Sequence, residues 1–187
     1  MPNAGSWYSW AMTYLALLRG INVGGHNKVP MVQLQATFEA LGYTNVITYI
    51  NSGNVLFSDA RNIPELQPAI ENALLETFGF TVKALVISKQ NLNTIAAALP
   101  IAWHNDATMK CDIMFLWAEK NTPSVVNELS AQPGIDSIIY VDGALIWSVP
   151  RDQLTKSGLT KLVGTKLYKK MTIRNCNTVR TLAELRA

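Results

Sequence analysis

The sequence contains few of the residues that mark several large classes of protein. Its two cysteines, Cys111 and Cys176, are too few for a disulfide framework, which favours a reducing cytoplasmic location. Its two histidines, His26 and His104, do not stand at metal-ligand spacing, so neither a metal nor another cofactor is expected. No apolar run approaches the roughly 18 residues of a membrane-spanning helix, which argues against a membrane partner.

Charged residues are also scarce, and they are unevenly distributed. They make up 16% of the 187 residues, whereas hydrophobic residues make up 49%, a composition that suits a large buried core. Residues 1–150 hold 7 basic and 11 acidic residues, for a net charge of −4, and residues 151–187 hold 9 basic and 2 acidic residues, for +7. This basic C-terminal segment predicts either an anionic partner or an acidic surface elsewhere in the same chain.

Hydrophobic periodicity predicts the same order of elements twice. The first set is a strand at 13–19, a helix at 31–41, a hairpin whose strands flank residues 51–53, a helix at 64–78 and a strand ending at 88. The second set is a strand at 111–117, a helix at 123–131, a hairpin around residues 142–143, a helix at 159–168, a strand at 171–174 and a last helix. We therefore expect an α+β protein of tandem ferredoxin-like (βαββαβ) halves with antiparallel sheets and a C-terminal helix.

These elements suggest boundaries along the chain. We expect an N-terminal extension over residues 1–11, a first half over 12–88, a connector with a short helix over 89–108 and a second half over 109–187 that carries the basic segment. The outer strands of the first half, "TYLALL" and "KALVI", are apolar at nearly every position, which predicts that both faces of that sheet are covered. The cover would be the other half or a second subunit, so a homodimer remains open.

The loop after the first strand is the leading candidate for a binding site. In a βαββαβ unit this loop emerges beside the turn between the second and third strands. Glycines let main-chain N–H groups approach a ligand, a helix start adds partial positive charge, and arginine offers a forked donor. We interpret this rim as a site for a phosphate or another anion. Its candidate ligand-binding residues are Arg19, Asn22, Gly24, Gly25, Asn51, Ser52 and Asn54.

A structural explanation of the same loop competes with this interpretation. Gly24 and Gly25 could shape a tight turn, Asn22 could cap main-chain groups, and Arg19 could pair with a carboxylate. The glycine pattern matches neither the Walker loop nor the dinucleotide fingerprint, so it does not indicate a nucleotide cofactor.

A second cluster near the C-terminus uses the same residue types. Arg174 leaves a strand, Asn175, Asn177 and Thr178 stand where a helix begins, and Lys161 lies beside an earlier helix start. Each asparagine alone is explained by ordinary helix capping. The repeated use of arginine, asparagine and hydroxyl residues favours an anionic ligand, such as a nucleotide or a nucleic-acid backbone. We expect the loop after the first strand to form one wall of its site and this C-terminal cluster to form the other.

Catalytic patterns are weak. No cysteine stands with a histidine and an acid in a nucleophile pattern, and neither Ser52 nor Ser157 has an obvious base. An enzyme acting on a phosphorylated small molecule is therefore the alternative to a binding protein. An RNA-recognition sheet would need exposed aromatic residues, whereas Phe115 and Trp147 are expected in the core.

Three stretches carry a family resemblance: "YLALLRGINVGGHNKVPM", "LGYTNVITYINSGNVLF" and "TIRNCNTVRTLAEL". They closely resemble the bacterial family known as domain of unknown function 1697, from about Met12 to the C-terminus. The resemblance implies ferredoxin-like halves and a bacterial cytoplasmic protein, but no particular activity. Two departures matter: Cys176 stands where relatives usually have tryptophan, and Gly158 stands where they tend to have lysine.

Overall fold

The computed structural model describes residues 11–186, which form two units. The first unit ends at Ser88, and the second runs from Lys89 to Arg186. The expected N-terminal extension, residues 1–11, lies outside the described residues except for Ala11.

The first unit is a four-stranded antiparallel sheet with two helices. Its elements are β1 (Met12–Arg19), α1 (Met31–Ala40), β2 (Thr44–Tyr49), β3 (Asn54–Asp59), α2 (Ile63–Phe78) and β4 (Lys83–Ser88). The strand order is β2-β3-β1-β4, with every neighbouring pair antiparallel. This is the ferredoxin-like arrangement that the sequence predicts.

Local signals explain why α2 forms where it does. The side chain of Asn62 accepts a hydrogen bond from the main-chain N–H of Glu65, while the Glu65 carboxylate accepts from the N–H of Asn62, a reciprocal capping box. The helix buries Leu66, Ile70 and Leu74, which stand on one face at a spacing of four residues. Full burial of each such side chain stabilises the fold by about 1.5–3 kcal/mol.

The strand β1 is buried on both of its faces. Ala16 and Leu18 belong to the core cluster under the helices, whereas Leu15 and Leu17 point to the opposite face and are also fully buried. This agrees with the unbroken apolar run in the sequence, which lacks the alternation of a strand with one exposed face.

The second unit repeats the sheet of the first. Its elements are α3 (Lys89–Ala98), β5 (Met109–Leu116), β6 (Ser137–Val141), β7 (Ala144–Pro150), β8 (Met171–Asn175) and α4 (Cys176–Glu184). The order β6-β7-β5-β8 matches that of the first sheet strand for strand, and all its neighbouring pairs are antiparallel. The expectation of tandem ferredoxin-like halves is confirmed.

The crossover segments of the second unit differ from the sequence-based expectation. The helices predicted at 123–131 and 159–168 are replaced by short 3₁₀ turns at Pro123–Glu128, Arg151–Lys156, Gly158–Lys161 and Tyr168–Lys170. Gly164 adopts a left-handed conformation with φ of +91°, which interrupts the helical path between Leu162 and Leu167. Both leucines are nevertheless buried, so the periodicity predicted the core correctly but the helix wrongly.

The first and last helices of the second unit are joined through one lysine. The ammonium of Lys89 donates hydrogen bonds to the carbonyls of Leu182, Ala183 and Leu185, at 2.7, 2.8 and 2.8 Å. A cation at a helix C-terminus satisfies carbonyls that lack helical partners and complements the helix dipole. Burial lowers the pKa of Lys89.

Candidate functional site

The loop between β1 and α1 is held by the side chain of Asn22. Its Oδ1 accepts a hydrogen bond from the main-chain N–H of Val29 at 2.8 Å, and its Nδ2 donates to the carbonyls of Val29 and Asn51 at 3.0 and 2.9 Å. The main-chain N–H of Asn22 also donates to the carbonyl of Asn27. The loop therefore lies beside the β2–β3 turn, as the topology predicts.

The β2–β3 turn is equally well bonded. Asn54 is fully buried, and its Nδ2 donates to the carbonyl of Tyr49 at 2.9 Å and to Oγ of Ser52 at 3.0 Å. Gly53 has φ of +74°, and a Cβ there would lie 2.8 Å from Cβ of Leu18, so this position requires glycine. The amide groups of Asn22 and Asn54 thus hold main-chain and hydroxyl groups of the protein in place.

An open groove of about 400 Å³ lies where this loop meets α1; we name it the α1 groove. Its walls include Gly25, His26, Lys28, Pro30, Met31 and Asn51. Pro30 is the N-cap residue of α1 and makes no side-chain capping bond. The first turn of α1 contains no acidic residue. The turn presents main-chain N–H groups and the positive end of the helix dipole, and the exposed Lys28 adds a cation.

The second unit contains a counterpart of the Asn22 arrangement, which the sequence reasoning missed. The side chain of Asn121 follows β5 and accepts hydrogen bonds from the main-chain N–H of Gly143 at 2.8 Å and from the Tyr140 hydroxyl at 3.0 Å. Its Nδ2 donates to Oδ1 of Asp142 at 2.9 Å. An asparagine shortly after the first strand of each unit was the available signal.

The two units together show which features of the loop belong to the fold and which occur only in the first unit. An asparagine joining the loop to the hairpin turn occurs in both units. In the second unit the residues before it form a 3₁₀ turn, Ala118–Lys120, whereas the first unit has the glycine-containing loop at 20–30. The bridging asparagine is therefore a device of the fold, and the α1 groove is what distinguishes the first unit.

Predicted site residues of the C-terminal cluster make hydrogen bonds to neighbouring groups of the protein. Arg174 is 7% exposed, and its Nη1 donates to Oγ1 of Thr172 at 3.0 Å and to the carbonyl of Ile173 at 2.9 Å. Burial lowers the pKa of Arg174 to about 10, so it remains a cation at neutral pH. Asn175 caps α4 by accepting from the main-chain N–H of Thr178 at 2.9 Å, as the capping explanation predicts.

The other two predicted residues of this cluster differ from each other. Asn177 donates through Nδ2 to the carbonyl of Asn105 at 3.0 Å and so fastens α4 to the connector before β5. Lys161 is exposed at the end of a 3₁₀ turn. Cys111 and Cys176 are both buried, and burial, reinforced by the neighbouring Cys176, raises the pKa of Cys111, which opposes a nucleophilic role.

Asp136 is a further polar centre that no local motif revealed. Its carboxylate accepts hydrogen bonds from the main-chain N–H of Gln132 at 2.8 Å, the indole of Trp147 at 2.9 Å and the main-chain N–H of Gly158 at 3.0 Å, and also from the Ser157 hydroxyl. Burial raises the pKa of Asp136, but these bonds outweigh it and the pKa is lowered overall. The carboxylate fixes the segment after β7 against the sheet.

Several other expectations can be compared with the described residues. Phe115 is fully buried and Trp147 is 4% exposed, so neither forms an open platform for stacking bases. Across residues 11–186 we find no group of three His, Cys, Asp or Glu side chains placed to hold a metal ion. In the same range no helix has the length and apolar character needed to cross a membrane.

Comparison with known proteins places the chain in a family. A family model described as "Protein of unknown function (DUF1697)" matches residues 12–147, which include the α1 groove and the β2–β3 turn. The chain belongs to this family. The DUF1697 match confirms the resemblance read from the sequence motifs. No curated protein matches the chain.

A solved structure extends the likeness over most of the chain. The conserved bacterial protein SP0830 from Streptococcus pneumoniae is 26% identical, with a TM-score of 0.79, over 93% of this chain and 98% of that chain. Its fold agrees with the two four-stranded sheets found here for this DUF1697 member.

Proposed function

We propose that this protein binds a phosphorylated or other anionic ligand, such as a nucleotide or a nucleic-acid backbone, in the α1 groove. The observation that carries the proposal is the N-terminus of α1, which opens on this groove without a side-chain cap and with Lys28 beside it. Main-chain N–H groups at a helix start, together with the helix dipole, are the usual protein partners of a phosphate group.

The conformation of the loop supports this use of the groove. Gly24 and Gly25 both have positive φ, +59° and +80°, and both are exposed. The space around the Cβ position of Gly25 is open, so the positive φ, rather than close packing, accounts for glycine there. Bare main chain at this point lets a ligand approach the N–H groups closely.

The contacts available would give modest affinity. A hydrogen bond to a charged group contributes about 1.5–3 kcal/mol net, and a charge at a helix end contributes about 0.3–1 kcal/mol. Three or four such contacts correspond to dissociation constants of roughly millimolar to micromolar. Arg19, half-buried at the end of β1, is the other candidate cation of the first unit.

We extend the proposal to the second unit as a separate set of anion contacts. Its members are Lys161, Arg174, Asn175, Asn177 and Thr178. Arg174 is positively charged at neutral pH, since its pKa is still about 10. The bonds that occupy Asn175 and Asn177 favour a structural role for those two side chains.

Isothermal titration calorimetry tests the proposal with inorganic phosphate, nucleoside mono- and triphosphates and a short single-stranded RNA. We expect Lys28→Ala to weaken binding about 10- to 150-fold, the equivalent of about 1.5–3 kcal/mol for the loss of one hydrogen bond to a charged group. Arg61→Ala is the matched control, because Arg61 is a cation of the same unit paired with Asp59 at the other end of β1. It should leave the dissociation constant unchanged.

Two further variants separate the structural explanation from the binding one. Arg19→Ala should weaken binding with a smaller fall in melting temperature than Arg174→Ala, which also removes buried hydrogen bonds to Thr172 and Ile173. A large fall in melting temperature with no binding of any probe by the wild type would favour purely structural motifs. Absence of binding, or binding indifferent to Lys28→Ala, overturns the proposal.

A further inference from the structure

The second unit lacks the helix that covers the sheet of the first. Between β3 and β4 the first unit has α2, Ile63–Phe78, packed on the sheet, whereas between β7 and β8 the second unit has only short 3₁₀ turns across residues 151–170. These turns cover the sheet through Leu159 and Leu162, and an open cavity of about 460 Å³ lies beside them; we name it the β-face cavity. Its volume is in the range of small-molecule binding sites.

The walls of the β-face cavity are mainly apolar. They include Met114, Trp147, Leu154, Leu162 and Ile173. The indole N–H of Trp147 donates to Asp136 at 2.9 Å, which fixes the ring's orientation before any ligand arrives. Such walls suit the flat apolar body of an aromatic molecule, because buried aromatic rings add directional contacts to the hydrophobic gain.

The charged residues of the lining are Lys110 and Asp112, and Thr160 and Tyr168 add hydroxyl groups. Lys110 and Asp112, both on β5, form an ion pair at 2.8 Å, and Nζ of Lys110 lies 5.8 Å from the centre of the Trp147 ring. An ammonium has three N–H donors, so Lys110 can keep Asp112 as a partner and still hold an anionic group of a ligand. An aromatic acid would place its ring against the apolar wall and its charge beside Lys110.

The charge of the segment beside the cavity favours an anionic ligand, although none of its basic residues is part of the lining. The segment 151–170 that lines one side of it contains six basic residues and one acidic residue, a net charge of +5. A field of this sign raises the local concentration of anions and accelerates their binding.

We propose that the β-face cavity binds a small aromatic carboxylate, with its ring beside Trp147 and its carboxylate on Lys110. The site is distinct in residues and chemistry from the α1 groove, where the proposed ligand is held by main-chain N–H groups. The two proposals can therefore fail separately.

The test uses the full chain and naphthalene-2-carboxylate as the probe, with the neutral naphthalene-2-carboxamide for comparison. Titration calorimetry should show the carboxylate binding at least fivefold more tightly than the amide. Lys110→Met keeps the apolar stem but removes the charge, and it should abolish this preference. Lys83→Met, at a lysine of the first unit that is likewise ion-paired with a carboxylate at 2.8 Å, is the matched control and should leave carboxylate binding unchanged.

A second variant tests the location without touching the core. Val163 lines the cavity and is 71% exposed, so Val163→Asp should weaken carboxylate binding at least fivefold by repulsion, while the uncharged Val163→Asn should have a smaller effect. Ile101→Asp, at a residue 90% exposed outside the cavity lining, is the matched control and should bind as the wild type does. No detectable binding, equal affinity for the amide, or indifference to both Lys110→Met and Val163→Asp overturns the proposal.

Discussion

The side-chain amide of Asn22 donates a hydrogen bond to the carbonyl of Asn51, 2.9 Å away, and joins two stretches 29 residues apart in the sequence. The same side chain accepts from the N–H of Val29 at the end of its own loop. One residue therefore fixes the position of the glycine-containing loop relative to both the hairpin turn and α1. The shape of the α1 groove depends on it.

Replacing Asn22 should destabilise the first unit. Asn22→Gly removes the side-chain bonds while suiting the positive φ of 55°, and we expect it to lower the free energy of unfolding by about 2 kcal/mol. Asn22→Ala should cost about 1 kcal/mol more, because alanine is strained in the left-handed region. Urea denaturation measures both. The exposed helical Asn93→Ala is the control; wild-type stability in Asn22→Gly would show that the bonds contribute nothing.

Gly158 is required by a close main-chain approach. A Cβ at this position would meet the carbonyl oxygen of Ser130 at 1.5 Å, so Gly158→Ala forces the backbone to move and should cost about 3 kcal/mol or more in urea denaturation. Gly134→Ala is the matched control, since Gly134 has φ of +78° but open space around it, and it should cost only about 1 kcal/mol. Equal costs would contradict the steric explanation.

Low pH should lower the stability of the second unit because Asp136 becomes protonated. The pKa of Asp136 is lower in the folded protein than in the unfolded chain. Asp136 therefore contributes its full stabilisation above the unfolded pKa of about 3.9, and this stabilisation is lost as the pH falls through the folded pKa. We expect Asp136→Asn to be about 2 kcal/mol less stable than wild type at pH 7 and closer to it at pH 3. Urea denaturation at the two pH values measures this, with the exposed Asp152→Asn as control. An equal difference in stability between Asp136→Asn and the wild type at both pH values would refute the role given to Asp136.

Lys89 should stabilise the end of α4. Lys89→Met keeps the aliphatic stem but removes the three bonds to main-chain carbonyls, so we expect a loss of about 2 kcal/mol and faster amide hydrogen exchange in α4. Lys166→Met, at an exposed lysine of the same unit, should change neither quantity. Unchanged amide hydrogen exchange in α4 of Lys89→Met would show that Lys89 does not cap this helix.

Much of the fold was predictable because its signals are local. The hairpin at Asn51–Gly53 and the start of α2 at Asn62 each follow from a few adjacent residues. The proximity of Asn22 to Asn51 followed from topology, because one connection order places the two loops at the same end of the sheet.

The rest depended on partners distant in sequence. The leucines at 159, 162 and 167 are buried as in a helix, yet Gly164 breaks the helical path there. The role of Asp136 follows from bonds to groups 11 and 21 residues away, which no local pattern encodes. Asn121 was missed for the same reason, since its role depends on the turn at Gly143.

The bonds of Lys89 have a consequence for the order of events during synthesis. All four strands of the first unit are present once Ser88 has been added, whereas Lys89 finds its partners only when residues 182–185 exist. The N-terminal sheet can therefore assemble on the ribosome while the remainder is still being translated. The second sheet is complete only when β8 has been added, and a chain truncated before β8 would expose the open edge of β5 to aggregation.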